Sequence, residues 1–185
     1  MHNSALKGLT WLMWHGDYPE VRKVWLEIAD GWLEATLRAE DGKLPGFPPL
    51  AVAQGTDRLG GLKGTWWDPQ LGWSYYANPG QAFKIYQLLT AAYQFSKDPK
   101  YLEPLEQALR LASAYVPRKG FTPEPPSAAW QQALLHAWLE EGRFAGLLLR
   151  CKRATGTARF DAYLEQGGGG PLEVFMLEGD VAPAV

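Results

Sequence analysis

Residues 81–96, QAFKIYQLLTAAYQFS, place apolar side chains on nearly every face of a helical wheel: Phe83, Ile85, Tyr86, Leu88, Leu89, Ala92, Tyr93 and Phe95. A helix of that composition has to be surrounded on most sides. Lys97-Asp98-Pro99 stops it and caps a successor, residues 100–116, in which Leu102, Leu105, Leu109 and Ala112 oppose Glu103, Glu106, Gln107, Arg110 and Ser113. One helix belongs inside and the next outside. That alternation restricts the chain to layers of antiparallel helical hairpins, an all-α fold.

The rest of the chain follows the same grammar. Residues 4–14, SALKGLTWLMW, read as a short helix closed by His15-Gly16, with Asp17 as the N-cap of the next helix and Pro19 in its first turn. In residues 20–38, Val21, Val24, Trp25, Ile28, Trp32 and Leu33 form an apolar stripe opposite Lys23, Glu27, Asp30, Glu34 and Arg38. Three more helical pieces occupy 127–140, 143–154 and 157–166; whether the first two make one kinked helix is open, and the glycine run at 167–170 reads as a loop. A repeat runs through this pattern. SKDPKYLEPLEQ at 96–107 matches TGTARFDAYLEQ at 155–166, an offset of 59, as stacked hairpins would produce. The whole of 1–185 is expected to be one domain.

Composition excludes several classes. Eighteen Lys and Arg against 20 Asp and Glu leave no basic surplus, and no basic run interleaved with aromatics is present, so nucleic acid is not an expected partner. No apolar run is long enough for a membrane span, and MHNSALKGLTWLMWHGD lacks the features of a signal peptide, so the chain is expected to be soluble and to have no membrane partner. Cys151 sits among Leu147 and Leu148 and reads as a buried hydrophobe. His15 at a helix end and His136 between Leu135 and Ala137 lack partners at ligand spacing. Phosphate-binding and dinucleotide motifs, a nucleophile elbow and CxxC pairs are missing from the sequence, so neither metal nor cofactor is expected.

Residues 40–79 interrupt the helical pattern with a connection far longer than most helix–helix turns, opened by GKLPGFPPL. Its second part, QGTDRLGGLKGTWWDPQLGWSYYANPGQ at 54–81, holds five aromatic rings, too many for a disordered linker. If the short turns at 15–19 and 96–99 close one end of the hairpins, this connection and the one at 117–126 gather at the other, where sites are usually built.

The phrase NPGQAFKIYQLLTAAYQFSKDPKYLEPLEQAL, with its buried first helix, Lys-Asp-Pro turn and amphipathic second helix, resembles the six-hairpin glycosidase-like superfamily. The resemblance covers roughly residues 10–165 by architecture and matches no catalytic motif. It implies an (α/α) toroid of inner and outer helices with a carbohydrate-active site at the loop end. A closed toroid needs about twice this many helices, so the chain is expected to be an incomplete toroid, completed by a second half or by self-association, or else an open helical array.

Within the loop, Trp66, Trp67, Trp73 and Tyr75 lie off any helical stripe, and flat rings with polar edges suit the faces of a sugar. The alternative is that they pin the loop to the helices. Asp57 and Asp68 are the nearby carboxylates, and glycoside hydrolysis generally needs two, while turn roles are the plainer reading of each. A polysaccharide lyase would instead need a base such as Tyr76 and a cation such as Arg58 or Lys63. The expectation is therefore a glycan-processing enzyme or part of one, hydrolase ahead of lyase. Its site would comprise Asp57, Asp68 and Tyr76 as catalytic groups and Trp66, Trp67, Trp73, Tyr75 and Arg58 as substrate contacts. The rival is a non-catalytic helical scaffold. The two differ in where exposed rings fall: in a pocket with a carboxylate for the enzyme, along a helix face for the scaffold.

Overall fold

The computed structural model describes residues 6–53, 55–60, 64–68 and 79–166. Among these the architecture is all-α: α1 (Leu6–His15), α2 (Pro19–Leu37), α3 (Pro79–Ser96), a 3₁₀ turn (Pro99–Leu102), α4 (Glu103–Ala114), α5 (Ala128–Glu140), α6 (Ala145–Thr155) and α7 (Asp161–Gln166). The only β pairing among them is a single bridge, Val52 with Leu59, inside the long connection. Two compact units divide the chain, Met1–Gln107 and Ala108–Val185, with the boundary inside α4.

In the first unit α1 packs on α2 and α2 on α3. Their shared core is Met13, Trp25, Ala29, Leu33, Ile85, Leu88, Leu89 and Ala92 from the three helices, with Tyr101 from the 3₁₀ turn. The α1–α2 turn differs from expectation at its cap. Tyr18, not Asp17, is the N-cap of α2, and its side chain makes no capping bond; Pro19 opens the helix, where its missing N–H costs nothing. Asp17 instead faces Arg22 at 3.4 Å. The 3₁₀ turn is tied back to α2: the Tyr101 hydroxyl donates to Asp30 Oδ1 at 2.7 Å and Lys100 Nζ lies 2.9 Å from the same oxygen. Burial, then the Asp30 carboxylate, push the Tyr101 phenol up to about 12, so it serves as a donor.

The second unit buries Leu135, Trp138 and Leu139 of α5, Leu147, Leu148 and Cys151 of α6, and Phe160. Residues 127–154 form two helices: α5 ends at Glu140, Gly142 takes a left-handed φ of 69°, and α6 starts at Ala145. His136 is engaged by the backbone, its Nδ1 lying 3.1 Å from the Ala112 carbonyl oxygen.

The repeat offset reappears as matched local geometry in the two units. Ser96 donates to the Ala92 carbonyl at 2.7 Å and accepts from Asp98 N; fifty-nine residues on, Thr155 donates to the Cys151 carbonyl at 2.8 Å and accepts from Thr157 N. The following residue is left-handed in both, Lys97 at φ 60° and Gly156 at φ 66°, and bonds back to Tyr93 O and Lys152 O. Tyr101 and Phe160, again at equivalent positions, are both buried. Each of the two turns therefore ends its first helix with the same left-handed cap and buries an aromatic ring four residues further on.

Candidate functional site

The long connection leaves α2 at Leu37, and its first part is not a surface loop. Gly46, Phe47, Pro48 and Pro49 are buried. Prolines bring no N–H, so the carbonyls here must find donors elsewhere. Side chains supply them. Lys43, only 2% exposed, directs Nζ to the carbonyls of Thr36 (2.7 Å), Phe47 (2.9 Å) and Leu44 (3.1 Å), joining the last turn of α2 to the loop. Tyr86 of α3 donates its hydroxyl to Gly46 O at 2.7 Å, and burial raises this phenol far above its usual range. Arg38 donates to Asp57 O at 2.6 Å. Burial, and then the neighbouring Arg38 guanidinium, lower the Lys43 ammonium from 10.5 to about 7, with Glu40 opposing them. Lys43 escaped the sequence reading because a lysine beside Gly and Pro looks solvated; the signal was its place in a segment short of N–H donors.

The residues expected to act on a sugar are placed as follows. Trp66 is buried, at 2% exposure, with its indole N–H on Asp41 O at 2.9 Å and its ring edge-on to Phe47 at 5.8 Å. At that exposure the ring is held within the loop rather than presented at the surface. Trp67 is half-buried. Asp57 is exposed in a left-handed turn at φ 52°, its N–H bonded to Ala53 O. Asp68 is exposed and closes a turn with Thr65, whose hydroxyl accepts from Asp68 N while Asp68 O accepts from Thr65 N. Arg58 braces the loop internally through Gly64 O at 3.2 Å. Lys63, Trp73, Tyr75 and Tyr76 lie outside the described residues. Among the described residues no three His, Cys, Asp or Glu side chains gather as a metal-ligand set.

Exposed rings occur elsewhere. α1 turns Met13 inward, and Thr10 Oγ1 takes the Trp25 indole N–H at 3.0 Å; on the outer side Trp11 and Trp14 are 61% and 54% exposed. Tyr18, the N-cap of α2, is 47% exposed. Its ring lies over Gly16, where an added Cβ would stand 2.5 Å from it. These rings are held in place. Trp11 packs against His15 at 4.5 Å with the rings tilted by 41°, Trp14 rests on Phe95 at 4.9 Å, and Phe95 meets the buried Trp25 edge-on at 5.6 Å. Chemically the face offers flat apolar surface and an imidazole, suited to binding rather than to bond cleavage.

No protein-family model, curated protein or solved structure matches this chain. Among the described residues, no helix is long and apolar enough to cross a membrane.

Proposed function

We propose that the chain is a non-catalytic helical interaction module that docks a protein partner through the outer face of α1. One observation carries this reading: the exposed rings Trp11 and Trp14 stand three residues apart on α1, with Tyr18 following at the N-cap of α2, whereas Trp66 of the aromatic loop is spent in the core. Half-exposed tryptophans fixed by neighbouring rings bind at little conformational cost and are typical interface anchors. The test is photo-crosslinking in cells, with a photoreactive phenylalanine analogue at position 14 or, as control, at the exposed position 27 of α2. A discrete protein adduct from position 14 alone is expected. Its absence, or equal labelling from both positions, counts against the module.

A second reading is favoured by Trp67 and Asp68, a half-buried ring beside an exposed carboxylate on a turn fixed by Thr65. It is the carbohydrate-active enzyme, or part of one, implied by the resemblance to six-hairpin glycosidases. In it the hairpins belong to an incomplete toroid, a glycan is the substrate, and hydrolysis ranks ahead of elimination. Asp68→Asn would then abolish glycan hydrolysis with the fold unchanged, and full retention of turnover would remove Asp68 from the mechanism.

A further inference from the structure

We infer that the partner of the α1 outer face is a second copy of this chain, the two α1 helices crossing about a two-fold axis near Trp14. The inference rests on the docking reading above and names its occupant. Three observations support it. The first is charge. The segment that follows the two tryptophans carries both signs, Asp17 and Glu20 with Arg22 and Lys23, all exposed, of which Asp17 and Arg22 also face each other within the protomer at 3.4 Å. An isologous interface brings each patch against itself, so a rim of mixed sign can pair acid with base in both halves. A lipid surface or a nucleic acid would instead select a basic surplus.

The second is area. A fully covered aromatic side chain buries about 150–250 Å², so the three rings at roughly half exposure offer on the order of 300 Å² per copy. Doubled by symmetry and surrounded by a polar rim, that reaches about 1,000 Å², the lower end of specific interfaces. It suits a weak, reversible dimer. The third is order. Trp11 against His15, Trp14 against Phe95 and Tyr18 over Gly16 are positioned within the protomer, so little rotamer freedom remains to be lost on pairing.

The test is sedimentation equilibrium of the full chain over a range of protein concentration. Wild type is expected to dimerise reversibly, and Trp11→Ala with Trp14→Ala to weaken dimerisation about thirtyfold or more. A single Trp14→Cys variant checks the geometry without depending on the double variant folding: oxidation should give a disulfide-linked dimer, and Glu27→Cys should not. A monomer at all concentrations, or a dimer indifferent to both tryptophans, overturns the inference. If the purified chain is monomeric while position 14 still crosslinks to another protein in cells, the second copy is refuted and the docking reading stands. An adduct confined within one chain refutes both.

Discussion

Lys43 permits a prediction whose sign depends on which of two opposing effects wins. Its ammonium is buried, which favours the neutral amine, and it faces three carbonyls, which favour the charged form. Two of those carbonyls already have backbone partners: Thr36 O accepts from Gly46 N at 3.0 Å and Leu44 O from Phe47 N at 3.1 Å. They therefore have less to give the ammonium, and burial together with Arg38 prevails, bringing the group to about 7. The unfolded chain, with its lysine near 10.5, then holds the extra proton between about pH 7 and 10.5. Stability consequently rises with pH through that window, and the contribution of this group is least favourable below pH 7.

A depression of this size corresponds to about 5 kcal/mol across the window, or roughly 10–20 °C in melting temperature for a chain of this length. Lys43→Met keeps the stem and removes the titrating amine, so the difference between wild type and variant isolates the effect. Thermal melts of both proteins at pH 6, 7, 8, 9 and 10 make the measurement. The wild type is expected to gain steadily on the variant as pH rises. A gap that stays constant, or one in which the wild type loses ground, would show that the carbonyl cage outweighs burial and would refute the reasoning.

Two further outcomes follow from particular atoms. A Cβ at Gly60, which has a φ of +90°, would stand 2.1 Å from the Thr65 carbonyl carbon and oxygen and 2.6 Å from Trp66 N, all backbone atoms; Gly60→Ala should cost about 3 kcal/mol or more and expose Trp66, read as a red shift in fluorescence, whereas a loss below 1 kcal/mol would contradict the close approach. Ser96→Ala and Thr155→Ala remove hydroxyls that share a pair of backbone bonds, Thr155 adding a contact to Thr157 Oγ1 at 3.1 Å; each should cost about 1 kcal/mol by chemical denaturation, Thr155 slightly more, and a clearly larger loss at Ser96 would argue against equivalent caps.

The helices were legible because their signals are local. The apolar stripes, the Lys-Asp-Pro stop and the glycine breaks locate α1 to α7 to within a few residues, and the 59-residue offset marks two hairpin ends that share a left-handed cap. Asp17 misled because it is a good capping residue that lies one position before the actual cap, Tyr18. The long connection was legible only as ordered. With no period, nothing in Trp66-Trp67 says which ring faces the core; that is decided by Phe47 and Asp41, which lie 19 and 25 residues away in sequence. Trp11 and Trp14 were readable as helix residues but not as uncovered ones, since exposure depends on what the rest of the chain leaves open.

The loop also shows why its polar residues resist assignment from sequence. Pro45, Pro48 and Pro49 remove three N–H donors from a segment whose middle is buried, so its carbonyls must be satisfied by side chains or remain costly orphans. Lys43, Tyr86, Trp66, Arg38 and Arg58 all donate to main-chain carbonyls within residues 36–64. Each carries a group that could equally contact a substrate, and two of them, Trp66 and Arg58, were expected to do so. Donor bookkeeping decides between the roles. In a buried proline-rich connection, cations, phenols and indoles are drawn to the backbone first, and the side chains left for a ligand are those that it does not need.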